Sequence, residues 1–160
     1  MIDLLRSLWS KFSSLPFGKR LFSFVIGIKI PYTGSIRPRV VEIGHGYAKV
    51  CMRDRRRVRN HLASIHALAL ANLGEFSGGL ALHFAMPKDC RAILTNMSAE
   101  YLKKARGTIV ARANIASHPI TKNSQVVVDS ELFNDSDELV ALVKTTWLLG
   151  PSSQAKSLKN

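Results

Sequence analysis

Three polar side chains frame the most apolar stretch of this 160-residue chain: Asn60 ahead of it, His66 near its start and Glu75 within it. Residues 62–81 (LASIHALALANLGEFSGGLA) are dominated by alanine and leucine, both strong helix formers. Apolar residues run nearly all the way round, so the helix is expected to be enclosed. A carboxylate in such surroundings has its pKa raised by desolvation, which suits a general base working near neutral pH. The alternative for Glu75 is a pairing with a buried cation or hydroxyl. Asn60 either positions a reacting group or closes a turn. His66 either faces a substrate or is a satisfied core histidine. Ser64 either holds the helix start or touches a ligand, and Ser77 has the further option of bonding back to a helix carbonyl.

Spacing limits how these groups cooperate. Nine residues along an α-helix is about 2.5 turns and about 13.5 Å of rise, so His66 and Glu75 of one helix point to opposite sides. If both serve one site, Glu75 must face the His66 of another copy of the chain. Other chemistries lack their signatures: there is no GxSxG, P-loop, GxGxxG or HExxH. Cys51 and Cys90 lie 39 residues apart without a CxxC or Cys/His cluster. Neither a disulfide framework nor a metal site is therefore expected, and reduced thiols fit a cytoplasmic protein.

The net charge of +12, from 23 Lys and Arg against 11 Asp and Glu, favours anionic partners without choosing among them. The densest run is residues 53–59 (RDRRRVR), with five arginines in seven residues. Arg55, Arg56, Arg57 and Arg59 are candidates for an anion site, or else form a solvated edge. No aromatic residue interleaves with them, which argues against single-stranded nucleic acid. Lys103, Lys104 and Arg106 form a second basic cluster.

The elements that must position these groups can be read from periodicity. Residues 1–30 form a helical arm of two short segments broken at Pro16-Phe17-Gly18, with Leu4, Leu5, Leu8, Trp9 and Phe12 on one face. This arm covers part of the core or lies on a membrane surface. Residues 31–34 read as a turn, 36–43 and 47–52 as a hairpin, and 62–81 as the buried helix, ended by Gly78-Gly79. Strands follow within 91–104, 107–116, 124–133 and 139–149. The main domain spans 31–150, and 151–160 is a polar tail. One enclosed helix with an antiparallel sheet is an α+β plan.

With that order in place, residues 59–81 resemble the hotdog-fold thioesterase superfamily, in particular a domain-of-unknown-function branch related to phenylacetic-acid-degradation thioesterases. Members carry an Asn or Gln, six residues later a His-Gly-Gly, and a Glu or Asp nine residues after the His. The matching positions are Asn60, His66 and Glu75, with Ala67-Leu68 standing where the glycines would be. The resemblance implies a hotdog, a sheet wrapped around one central helix, pairing into a homodimer or homotetramer with sites between subunits. It implies hydrolysis of an acyl-CoA thioester, with coenzyme A entering as part of the substrate rather than as a cofactor. The Ala67 or Leu68 amide would stabilise the oxyanion, Glu75 would act as base or nucleophile, Asn60 would position water or the carbonyl, and His66 would lie near the thioester. Leu68 would narrow the approach, and the arginine run would attract the phosphates. Two other readings remain: a non-catalytic binder of acyl-CoA or an acyl carrier protein, and a basic protein bound to nucleic acid or, through the arm, to a membrane.

Overall fold

A computed structural model describes residues 2–115 and 120–152. The arm is two helices, α1 (Ile2–Phe12) and α2 (Gly18–Lys29), followed by a short α3 (Pro31–Ser35). The strands are β1 (Arg39–Gly44), β2 (Tyr47–Met52), β3 (Cys90–Tyr101), β4 (Ile109–Ile115), β5 (Gln125–Phe133) and β6 (Leu139–Pro151). Between β2 and β3 lie a 3-10 turn at Arg56–Val58 and the long helix α4 (Ala67–Ala85). All strand pairings are antiparallel, in the order β1-β2-β4-β5-β6-β3. This is the expected hotdog.

Alternation decides which face of the sheet meets α4. Ala48, Val50 and Met52 of β2 are fully buried, and Val126, Val128, Ser130 and Leu132 of β5 point inward while their neighbours face solvent. Helix α4 is buried along most of its length. Its closeness to the sheet depends on small residues. A Cβ on Gly74 would lie 2.5 Å from Val143 Cβ and Cγ2, and one on Gly78 would lie 3.1 Å from Thr145 Oγ1. Ser130 Oγ donates to the Gly74 carbonyl at 2.9 Å, tying β5 to the helix at the same point.

Several expected boundaries move, each for a local reason. The helix starts at Ala67 rather than at residue 62, because Asn60 organises the preceding loop. Its Oδ1 accepts from Leu62 N–H, Ser64 N–H and Ser64 Oγ–H at 2.9, 3.2 and 3.1 Å. Side-chain bonds of this kind compete with helical ones. Gly78-Gly79 do not end α4; they let it pass close to β6, and the helix runs on until Met86, where Pro87 blocks continuation. Residues 31–34 form helix rather than a turn, with Pro31 at a first-turn position that needs no N–H. Strand β1 starts at Arg39, not 36, since Arg37 sits at a φ of 49° and Pro38 follows. Residues 153–160 of the expected tail lie outside the described residues.

The arm is bonded at both ends of the domain. Arg6 of α1 donates to the His83 carbonyl at 3.1 and 2.6 Å and to the Met86 carbonyl at 2.6 Å, satisfying the last turn of α4. On α2, Ser23 Oγ accepts from Val40 N–H at 2.9 Å and Lys19 Nζ donates to the Val41 carbonyl at 2.8 Å. These contacts occupy the β1 edge at Val40 and Val41. The β3 edge, at the other end of the sheet, has no strand beside it among the described residues.

Helix propensity alone would make either glycine-to-alanine change in α4 stabilising by about 1 kcal/mol. Packing should split them. Gly74→Ala should destabilise by about 1–2 kcal/mol net of that gain, because Val143 has no flexible end to yield. Gly79→Ala, whose Cβ would meet Trp147 at an ordinary 3.5 Å, should be neutral or stabilising by up to about 1 kcal/mol. Urea midpoints of the two variants check the sign of each.

Candidate active site

The first turn of α4 opens onto a cleft of about 350 Å³ lined by Asn60, Ser64, Ala67, Tyr101, Lys103 and Lys104 among others. An α-helix leaves its first N–H groups without internal partners. Two of the earliest are in different states here. Leu68 N–H donates to His66 Nδ1 at 3.1 Å, so His66 is the N-cap. Ala67 N–H has no acceptor among the described residues. Of these two amides, that of Ala67 is the open one. The Leu68 side chain is 62% exposed and lines a different cleft, so it does not narrow the approach to Ala67.

Asn60 carries three bonds on Oδ1, which leaves its Nδ2 as the group able to reach a ligand. Ser64 is buried and spends its hydroxyl on Asn60, so its place is structural. Ser77 likewise turns back to the Leu73 and Gly74 carbonyls, at 2.9 and 3.0 Å. Tyr101, at the end of β3, donates its hydroxyl to the Ala67 carbonyl at 3.1 Å. That bond places the open helix end beside the uncovered strand edge. Periodicity gives no hint of it, because the two residues are 34 positions apart.

His66 faces a second cleft, of about 450 Å³, with Tyr32, Arg57, Arg59, Leu68 and Asn72 on its walls. Asn72 is buried, and its Oδ1 has no partner among the described residues. Among the arginines named from sequence, Arg55 donates to the Ile36 carbonyl at 2.7 Å and Arg59 pairs with Asp54 at 2.6 Å. Burial lowers the Arg55 pKa, with Arg37 and Arg57 adding to the effect. Arg56 and Arg57 are exposed. The residues beside Ala67 are instead those of the second basic cluster, Lys103 and Lys104, with Lys103 bound to Glu138 at 2.8 Å.

Glu75 lies apart from both clefts. It borders a partly open, mainly apolar hollow of about 130 Å³ with Leu5, Ile30, Phe76, Leu80, His83 and Trp147. It has no hydrogen-bond or ion-pair partner among the described residues. Burial alone pushes its carboxyl above the ordinary range. His83, on the wall of the same hollow, is held at Nδ1 by the Gly79 carbonyl at 2.6 Å, and burial lowers its pKa. His83 shares a helical row with Glu75 and Gly79 at steps of four, a signal the sequence reading missed. Within one chain, then, Asn60 and Ala67 come together, while His66 and Glu75 face other hollows.

A central helix with an open N-terminus, packed against a six-stranded antiparallel sheet, defines the protein as a hotdog fold. The chain belongs to the family described as domain of unknown function DUF4442, which matches residues 18–149. It is similar to a crystal structure from a genomics programme at 31% identity and a TM-score of 0.81, covering 94% of this chain and 99% of the other. A thioesterase enzyme from Staphylococcus aureus matches at 19% identity and a TM-score of 0.67, covering 76% and 99%. A phenylacetic acid degradation protein from Thermus thermophilus matches at 19% and 0.64, covering 74% and 97%. Curated proteins give no significant match.

The raised pKa of Glu75 has a stability consequence. The folded state holds its proton more tightly than the unfolded state, so stability falls as pH rises from the ordinary carboxylate value of about 4.3 through the folded pKa. Glu75→Gln should therefore stabilise the protein at neutral pH, with the gain vanishing below about pH 4. Urea unfolding at the two pH values reads this directly. At the N-cap, His66→Ala should cost about 0.5–2 kcal/mol, and His66→Asn should recover most of it in the same assay.

Proposed function

We propose that the protein hydrolyses an acyl-CoA thioester at a site shared by two copies of the chain. The observation that carries this reading is Glu75, a partly buried carboxylate with no partner among the described residues at the edge of an apolar hollow. Such a group is costly to the fold and suited to taking a proton near neutral pH. In the proposed reaction, water attacks the thioester carbonyl carbon while Glu75 removes a proton from that water. The carbonyl oxygen becomes an oxyanion held by Ala67 N–H, with Asn60 Nδ2 as a second donor. The carbon–sulfur bond then breaks, the sulfur leaves with the proton, and a carboxylic acid and free coenzyme A result. Direct attack by Glu75, giving an anhydride that water opens, uses the same groups. A pre-aimed donor contributes about 3–4 kcal/mol at such an oxyanion.

The geometry of one helix keeps Glu75 and Ala67 apart, so the base comes from the second copy. The open β3 edge supports pairing there, and Tyr101 links that edge to the Ala67 cleft. In this reading Lys103 and Lys104, on the wall of the Ala67 cleft, would receive the coenzyme A phosphates in place of the arginine run. The apolar walls around Glu75 suit the acyl chain. In the Staphylococcus aureus protein, a glutamine and a glutamate fifteen positions apart have each been exchanged for alanine. The same interval separates Asn60 from Glu75.

Incubation with a series of acyl-CoAs while free thiol is followed tests the proposal. Wild type should turn over at least one chain length, Glu75→Ala should lose about 10²–10⁴-fold in kcat, and the mass in solution should be a multiple of the chain. No turnover on any acyl-CoA, or full activity in Glu75→Ala, would sink it. Tight binding without thiol release would favour the non-catalytic binder.

A further inference from the structure

Helix α2 is apolar on two opposite faces. Phe22 and Ile26 are buried against the domain. Phe17, at its N-cap, and Leu21, Phe24 and Ile28 recur at steps of four, three and four, which gathers them in a stripe about 60° wide on the other side. They are 75, 47, 65 and 62% exposed. A stripe of this kind on the surface of a folded domain marks an interaction site.

The surroundings of the stripe say what kind of partner fits. Residues 4–41 carry seven Lys or Arg and no Asp or Glu. Along one flank runs a groove of about 530 Å³ lined by Arg20, Arg37 and Arg39 together with Phe24, Gly27 and Ile28. None of these three arginines is in a salt bridge among the described residues. The Arg20 guanidinium lies 5.4 Å from the centre of the Phe17 ring, so charge and apolar surface are adjacent. A symmetric contact between two copies would lay this unrelieved positive surface against itself, which is unfavourable. Because α2 packs on β1, at the other end of the sheet from the open β3 edge, pairing at β3 leaves the stripe uncovered.

We propose that α2 docks the protein on an anionic lipid bilayer. Phe17, Leu21, Phe24 and Ile28 enter the boundary between headgroups and acyl chains, and Arg20, Arg37 and Arg39 hold lipid phosphates in the groove. The contact is peripheral: no helix among the described residues is long and apolar enough to cross a membrane. It combines apolar insertion with charge attraction, the two terms that govern interfacial helices.

Flotation of the purified full chain with vesicles of phosphatidylcholine alone, and of phosphatidylcholine and phosphatidylglycerol in equal parts, tests this. Wild type should float with the anionic vesicles only, and added salt should weaken binding. The double variant Phe24→Glu/Ile28→Glu and the triple variant Arg20→Gln/Arg37→Gln/Arg39→Gln should each partition on the order of a hundredfold less, with thermal melts like wild type. In a separate Phe24→Trp variant, emission should shift to the blue with anionic vesicles. Absence of wild-type binding, binding unchanged in both multiple variants, or no shift in Phe24→Trp overturns the proposal. A fall in solution mass in Phe24→Glu/Ile28→Glu without vesicles overturns it in favour of a contact between copies.

Discussion

The contact of α4 with the sheet at Gly74 sets the rotation of the helix about its axis. A side chain there would collide with Val143, and the Gly74 carbonyl is taken by Ser130. With that point pressed against β5 and β6, each other residue on α4 has its direction fixed at about 100° per step. Glu75, one step on, turns toward Trp147 and the arm. Ala67, two turns earlier, opens beside Tyr101. A helix held farther from the sheet would be free to roll, and neither direction would be defined.

The same enclosure makes Glu75 expensive. Partial burial of a carboxylate with no partner among the described residues opposes folding, and the core around α4 has to offset it. Binding sites tend to be where such local conflicts persist, because a group satisfied by its own fold has nothing left for a ligand. The contrast with Ser64 and Ser77 is informative. Both are polar residues of the same segment, and both are already bonded within the chain.

Much of the fold was legible because its signals are local. The alternation of Ala48, Val50 and Met52 and the predominant apolarity of 62–81 gave the hairpin and the enclosed helix without reference to distant residues. The errors arose where one residue type has two uses. Gly78-Gly79 reads as a helix stop, yet here glycine serves close packing against β6. Asn60 sits where a helix could already have begun, and its side chain instead shapes a loop that delays α4 by five residues relative to the expectation. The site was legible only in part. The unusual carboxylate and the helix start could be named from sequence. That Leu68 N–H is occupied while Ala67 N–H is open, and that Lys104 rather than Arg55 stands beside it, depends on side-chain directions and on contacts between residues far apart in the chain.

The two edges of the sheet are unequal. Hydrogen bonds from Lys19 and Ser23 occupy β1 at Val40 and Val41, while β3 carries no neighbouring strand among the described residues. A sheet that can accept strands on one side only cannot propagate. If another copy paired with β3, the joined sheet would present at each outer margin a β1 already bonded to its own arm at Val40 and Val41. Blocked edges of this kind are one way in which sheets avoid open-ended strand addition.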